Sequence, residues 1–121
     1  MGLEFKWFKD YKILDSGETY QAFGYSIEYI DCDSTSHSYH NVSLVRELFE
    51  KMIGIPFPKL PNEEWIDSKD YKLKLIEPIN MSKYCEKILE GTEVDVIDMR
   101  GRFEWFKYLS DKGYYIAYDW E

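Results

Sequence analysis

The sequence predicts an α+β fold: a mostly antiparallel sheet with about three helices packed mainly on one face, in a single domain spanning residues 1–121. Three observations lead to this prediction. Short runs alternate apolar and polar residues, three longer runs have helical periodicity, and isolated glycines separate the two patterns. A chain of 121 residues can also bury a sizeable core without disulfides or metal ions.

The predicted strands are rich in aromatic residues. Alternation of apolar and charged side chains predicts a first strand within residues 3–7. Ser16 and Gly17 indicate a turn, and residues 20–30 after it have the aromatic and β-branched composition of a second strand. We expect these neighbours to pair as an antiparallel meander. Residues 71–76, YKLKLI, alternate without interruption and predict another strand with one wet face.

Three segments have the spacing of amphipathic helices. The first is expected to be capped by Asn41 or Ser43 and to end before Gly54. The second is predicted at residues 80–90, and the third at residues 102–112. Each should bury one face against the sheet.

The last twenty residues combine both patterns on either side of Gly113, the expected left-handed terminator of the third helix. Asp98 is its candidate N-cap. Residues 114–120 alternate as a strand with both faces covered. A helix that turns directly into such a strand packs back on the sheet, so its aromatic side should belong to the core. The predicted core residues here are Phe103, Trp105, Phe106, Leu109 and Ile116.

Cysteine usage and the apolar pattern indicate a cytoplasmic protein. Cys32 and Cys85 are too few and too unlike in context for a disulfide framework, so we expect reduced thiols. The first residues lack the apolar region of a signal peptide, and no apolar run approaches the ~20 residues of a membrane helix. Lysine outnumbers arginine twelve to three, which suggests an AT-rich bacterial or phage gene.

Charge gives the main indication of function. The formal net charge is −8, and no basic residue lies between Lys12 and Arg46. This charge argues against a phosphate-binding surface of clustered Lys and Arg, so we expect no direct nucleic-acid binding. Acids that flank aromatic residues steer association with a basic partner. The candidate partner-binding residues are Asp15, Glu18, Glu28, Asp31, Asp33, Glu63, Glu64, Trp65 and Asp67.

The composition therefore predicts a small acidic protein-binding module, an inhibitor or regulator that covers a basic site on another protein. Toxin-neutralising immunity proteins and phage proteins that block host defence enzymes have this general composition. The partner would be a basic nucleic-acid-handling enzyme or a toxin. No motif in the chain identifies a family of this kind.

Two other functions stay open. The polar segment at residues 31–41 is predicted to be a loop, and it contains carboxylate, thiolate and imidazole groups that zinc accepts as ligands. It could serve a zinc-dependent enzyme, or a cysteine or serine nucleophile activated by a histidine, although its spacing fits no established zinc motif. The candidate metal ligands are Asp31, Cys32, Asp33, His37 and His40. The third function is a subunit that self-assembles through its last strand, near Trp120.

Overall fold

A computed structural model describes residues 3–19, 22–37, 39–61 and 65–120, and it confirms an α+β fold with antiparallel sheets. The strands in these ranges are β1 (Leu3–Phe8), β2 (Asp10–Thr19), β3 (Ala22–Ile30), β4 (Asp33–His37), β5 (Trp65–Ile66) and β6 (Tyr115–Trp120). The helices are α1 (Tyr39–Ile53), α2 (Pro78–Glu90), the single turn α3 (Glu93–Val96) and α4 (Arg100–Asp111).

The described strands form two antiparallel sheets rather than one. The first has the order β4-β1-β6, and the second has the order β2-β3-β5. The predicted meander of the strands at residues 3–7 and 20–30 is wrong, because β1 pairs with β4 and β6 instead. Strand β3 pairs with β2, which the sequence analysis did not predict as a strand. The chain leaves the first sheet at Lys9, whose backbone N–H donates to the carbonyl of Ile30 in the second sheet at 2.8 Å.

Alternate side chains of β1 enter two different cores. On the helix side, the Phe5 ring packs edge-on against Phe57 and Phe106, at centroid distances of 5.7 and 4.9 Å. On the other side, the Phe8 ring lies 4.9 Å from Tyr29 in the second sheet. Both phenylalanine rings of β1 are fully buried. A strand with two buried faces therefore connects the helical layer to the second sheet.

The predicted organisation of the C-terminal region is largely confirmed. Phe103, Phe106 and Ile116 are buried in the helix-side core. Helix α4 ends at Asp111, and Gly113 then has the expected left-handed conformation, with φ of +88°. Strand β6 follows at once, so helix and strand pack together as the pattern indicates.

Helix starts differ from the predictions. Helix α1 begins at Tyr39, upstream of both predicted caps. Helix α2 begins at Pro78 rather than at Asn80, since a proline in the first turn lacks only an N–H that would have had no helical partner. Asp98 is not the N-cap of α4: it has a left-handed φ of +56°, and the helix begins two residues later.

Two polar segments of the N-terminal half are strands where the sequence predicts a loop and a turn. Residues 33–37 form β4, an edge strand of the first sheet. An edge strand is held by main-chain hydrogen bonds to its neighbour, so it needs no apolar alternation. Ser16 and Gly17 lie inside β2, where the register with β3 shifts between Asp15 and Glu18. Gly17 thus accompanies a β-bulge rather than a turn.

The predicted strand at residues 71–76 is absent: the structure assigns no strand there. Leu73 is nevertheless buried in the second core, with Lys72 and Lys74 exposed on either side. The Leu73 N–H donates to the hydroxyl of Tyr11 at 3.2 Å rather than to a neighbouring strand. The alternation of buried and exposed side chains here therefore comes from a segment that packs Leu73 into the second core without pairing as a strand.

The central position of Phe106 leads to a stability prediction. Phe106→Ala should lower the free energy of unfolding by about 3–5 kcal/mol, because its ring is completely buried against Phe5, Phe57 and Phe103. Ile79→Ala is the control, since Ile79 is 67% exposed, and it should change stability by no more than about 0.5 kcal/mol. Denaturant unfolding measures both, and similar losses would contradict this description of the core.

Gly101 in the first turn of α4 and Gly113 just beyond its end should respond in opposite ways to alanine. Gly113→Ala should destabilise by about 1–2 kcal/mol, because its φ is left-handed and a Cβ atom would lie 3.4 Å from the Lys9 ammonium. Gly101→Ala should stabilise by up to about 1 kcal/mol, since the position is helical and a Cβ there would meet no heavy atom within 4 Å. Thermal unfolding of both variants tests this, and a shared sign would contradict it.

Candidate protein-binding surface

The predicted acidic residues that the structure describes form two groups, which lie towards opposite ends of β3. In the second sheet Tyr25 pairs with Asp15 on one side and with Ile66 on the other, so Asp67 lies towards the same end as Asp15. Glu28 lies three residues further along β3, about 10 Å away at the usual rise per residue. The first group is Asp15, Glu18 and Asp67; the second group, towards the end of β3, is Glu28, Asp31 and Asp33.

Four of the predicted partner-binding residues have no described side chain. Glu63 and Glu64 lie outside the described residues. Trp65 pairs with Ser26 through its backbone, but its side chain and that of Glu18 lie outside the description. The predicted lining of the interface can therefore be followed best in the second group.

Asp31 and Asp33 occupy the connection between the two sheets. Asp31 lies in the turn that follows β3, with φ of +51°, and Asp33 begins β4. Both residues are exposed, and neither has an ion-pair partner within the described ranges. One carboxylate oxygen of Asp33 accepts the backbone N–H of Ser34 at 2.8 Å. The turn thus presents two carboxylates that are available to a partner.

Beside Asp33 lies a group of three aromatic rings, of which two are exposed. Asp33 is directly opposite Trp7 in the β1–β4 register, so their side chains project from the same face of the sheet. The Trp7 ring contacts Trp105 edge-on at 6.0 Å, and Trp105 stacks on Tyr108 at 5.4 Å with an interplanar angle of 15°. We call Asp31, Asp33, Trp7, Trp105 and Tyr108 the corner surface. Trp105 is 41% and Tyr108 is 52% exposed.

The prediction that Trp105 belongs to the core is therefore wrong, and the sequence analysis missed Tyr108. The buried stripe of α4 is formed by Phe103, Phe106 and Leu109, and the two exposed rings flank it. Five of the seven residues from 103 to 109 are large and apolar or aromatic, which is more than one helix face can bury. That excess is the feature of the sequence that indicates an exposed aromatic stripe.

Two lysines already contact aromatic rings in α4 and in the segment that follows it. The Lys112 ammonium lies 5.4 Å from the centroid of the Tyr108 ring. The Lys9 ammonium lies 4.2 Å from the Tyr114 ring and also donates to the Lys112 carbonyl. Cation–π contacts are thus already made at one edge of the corner surface.

A second group of charges lies on the opposite face of β1. The Lys6 ammonium contacts Glu4 at 3.4 Å and Asp119 at 3.2 Å, and all three side chains are largely buried. Burial by itself lowers the pKa of Lys6, but the hydrogen bond and charge of Asp119, helped by Glu4, outweigh it and raise the pKa above 10.5. Lys6 is therefore a charged structural bridge between β1 and β6, without the neutral amine that a nucleophile requires.

The candidate residues of the enzyme alternative are not assembled in the described part of the chain. Partial burial raises the pKa of the Cys32 thiol, Lys6 opposes that shift and Asp33 reinforces it, so the thiol is not activated at neutral pH. His40 is exposed in α1, and the side chain of His37 lies outside the description. Among the described residues, no three His, Cys, Asp or Glu side chains are grouped to hold a metal ion. Zinc binding stays a hypothesis.

The edge proposed for self-assembly is partly covered. The backbone N–H of Tyr118 in β6 donates to the carbonyl of Pro58 at 3.0 Å, and its carbonyl accepts the N–H of Leu60 at 2.9 Å. Residues 58–60 thus lie along the outer edge of β6 at its middle. A second chain would have to displace this segment in order to extend the sheet there.

Comparison with known proteins identifies no relative: no family model, no curated protein and no solved structure matches the chain. In the described ranges, no helix has the length and apolar character needed to cross a membrane. Function is therefore inferred from the chemistry of the corner surface.

The Lys6 bridge predicts a pH-dependent stability term. Because the pKa of Lys6 is raised in the folded protein, its contribution is complete below 10.5 and is lost as pH rises through the folded value. Asp119→Asn should lower the pKa of Lys6 and destabilise the protein at about pH 8, and the difference from the parent should shrink as the pH rises through the raised pKa of Lys6 in the parent. NMR titration of Lys6 and denaturant unfolding test this. A stability difference that stays constant with pH would contradict it.

Proposed function

We propose that the protein is an acidic binding module that inhibits or regulates another protein by covering a basic site on it. The partner would be a toxin or another enzyme that handles nucleic acid, since such proteins carry basic active sites. The observation that supports this proposal is the corner surface, where the exposed Asp33 lies opposite Trp7 and the Trp7 ring contacts the exposed pair Trp105 and Tyr108.

The two parts of the corner surface have complementary roles. Tryptophan and tyrosine are enriched among the residues that supply most of the binding energy at protein interfaces. Trp105 and Tyr108 are held by stacking on each other and by the edge of Trp7, so binding would order few side chains anew. Asp31 and Asp33 would accelerate encounter with a positively charged partner.

The charge of the whole chain favours the same class of partner. A formal net charge of −8 repels nucleic acid and other acidic surfaces at long range. The stretch without Lys or Arg between residues 12 and 46 includes β3 and β4, which lead into and out of the corner surface. A basic protein would therefore meet an attractive field on this side of the molecule.

The proposal is tested by reversing charge at the corner surface. Asp31→Lys with Asp33→Lys should slow association with a basic partner by about tenfold or more at low salt. The matched control, Glu50→Lys with Glu90→Lys, has the same net charge, and both of its positions are exposed on helices. The partner is first captured from an extract of the source cells on immobilised parent protein, and association rates are then measured with each variant.

The two double variants separate local steering from total charge. The proposal expects the control to bind nearly as fast as the parent, because its substitutions lie outside the corner surface. Equal slowing by both double variants would show that only net charge matters. Undiminished association of the corner variant would contradict the proposal.

A further inference from the structure

We propose that the groove between residues 55–59 and 74–76 binds an extended segment of a partner protein in which acidic and apolar side chains alternate. The segment pairs with the main chain of residues 74–76 as an added strand. The groove shares no residue with the corner surface and would act independently of it. Three features support the proposal: a strand-like sequence that pairs with no described strand, an apolar groove beside it, and lysines in the groove lining.

Residues 71–76 have the sequence of a strand without the pairing of one. Apolar residues and lysines alternate there without interruption, and Leu73 is buried while Lys72 and Lys74 are exposed. From Lys74 to Ile76, no main-chain N–H or carbonyl makes a hydrogen bond to another described residue. Unpaired main-chain groups of this kind form the template to which an extended peptide adds as a strand.

An open groove of about 370 Å³ lies beside this segment, with residues 55–59 as its opposite wall. Apolar side chains form most of its lining, among them Leu75 and Ile55, and Ile55 is 38% exposed. The opposite wall is held to the first sheet, because the Pro58 carbonyl accepts the N–H of Tyr118 at 3.0 Å. Apolar side chains of an added strand would therefore be buried here without movement of that wall.

The charges at the groove favour an acidic segment. Lys59 and Lys74 line it and are exposed, and no described Asp or Glu is part of the lining. Lys74 has no ion-pair partner within the described ranges. Opposite charges that face each other on paired strands stabilise the pairing. Acidic side chains of the added strand would therefore lie beside Lys74, while the apolar side chains between them enter the groove.

The experiment compares two short synthetic peptides of the same composition and charge. In one peptide Glu and Val alternate, and in the other all Glu residues precede all Val residues. NMR titration of the parent protein follows the main-chain amide signals of residues 74–76. The alternating peptide should bind at least about fivefold more tightly, because only it places all its acids on one face of a strand and all its apolar side chains on the other. Amides of residues 74–76 should also become protected from hydrogen exchange in that complex.

Two pairs of variants test the individual contacts. Lys74→Glu should weaken binding of the alternating peptide by about five- to tenfold, because it places like charges opposite each other. The matched control Lys87→Glu has the same net charge and lies exposed on α2, so it should weaken binding by no more than about twofold. Ile55→Ser should weaken binding by about two- to fivefold through lost apolar contact, whereas Ile79→Ser, at an exposed isoleucine of α2, should leave it unchanged.

Equal affinities of the parent for the two peptides, or equal weakening by Lys74→Glu and Lys87→Glu, would overturn the inference. The peptide comparison needs no variant, so it decides even if a substitution impairs folding. Octanoate is a third probe: if it shifts the amide signals of residues 74–76 and the alternating peptide does not, the groove takes a small anionic amphiphile and the proposed strand addition is wrong. Signals of residues 74–76 that shift with protein concentration alone would assign the groove to a second copy of the chain instead.

Discussion

The burial of both faces of β1 is the constraint on which the rest of the structure depends. Phe5 lies in the helix-side core and Phe8 in the second core, and each fully buried ring contributes about 2–3 kcal/mol of hydrophobic stabilisation. A slip of one residue in the register of β1 would exchange its two faces. Because β4, β6 and α4 all contact β1, the register of β1 determines the positions of all three.

The corner surface is a consequence of this arrangement. Trp7 lies on the helix-side face of β1, and the register places Asp33 opposite it on the edge strand β4. Since the core side of α4 is already occupied by Phe103 and Phe106, Trp105 remains at the margin. Acidic side chains at a sheet edge also discourage edge-to-edge association between copies of the chain. The same charges that would attract a basic partner thus oppose edge-to-edge pairing of two copies.

Local patterns predicted local structure well and long-range pairing poorly. The period of α4, the left-handed Gly113 and the burial of Ile116 depend on residues close in sequence, and they could be predicted. The pairing of residues 33–37 with β1 depends on backbone contacts across about thirty residues, to which side-chain alternation gives no guide. The candidate acids were identified by composition, but only the register shows that Asp15 and Asp33 lie in different groups.

Oxidative footprinting tests most directly whether the corner surface is covered by a partner. The exposed rings of Trp105 and Tyr108 should oxidise readily in the purified protein and should be protected in an extract of the source cells, with protection lost as salt is raised. Tyr71, an exposed ring outside the surface, should oxidise equally in both. Unchanged oxidation of Trp105 and Tyr108 in the extract, or equal protection of Tyr71, would contradict a binding role for this surface.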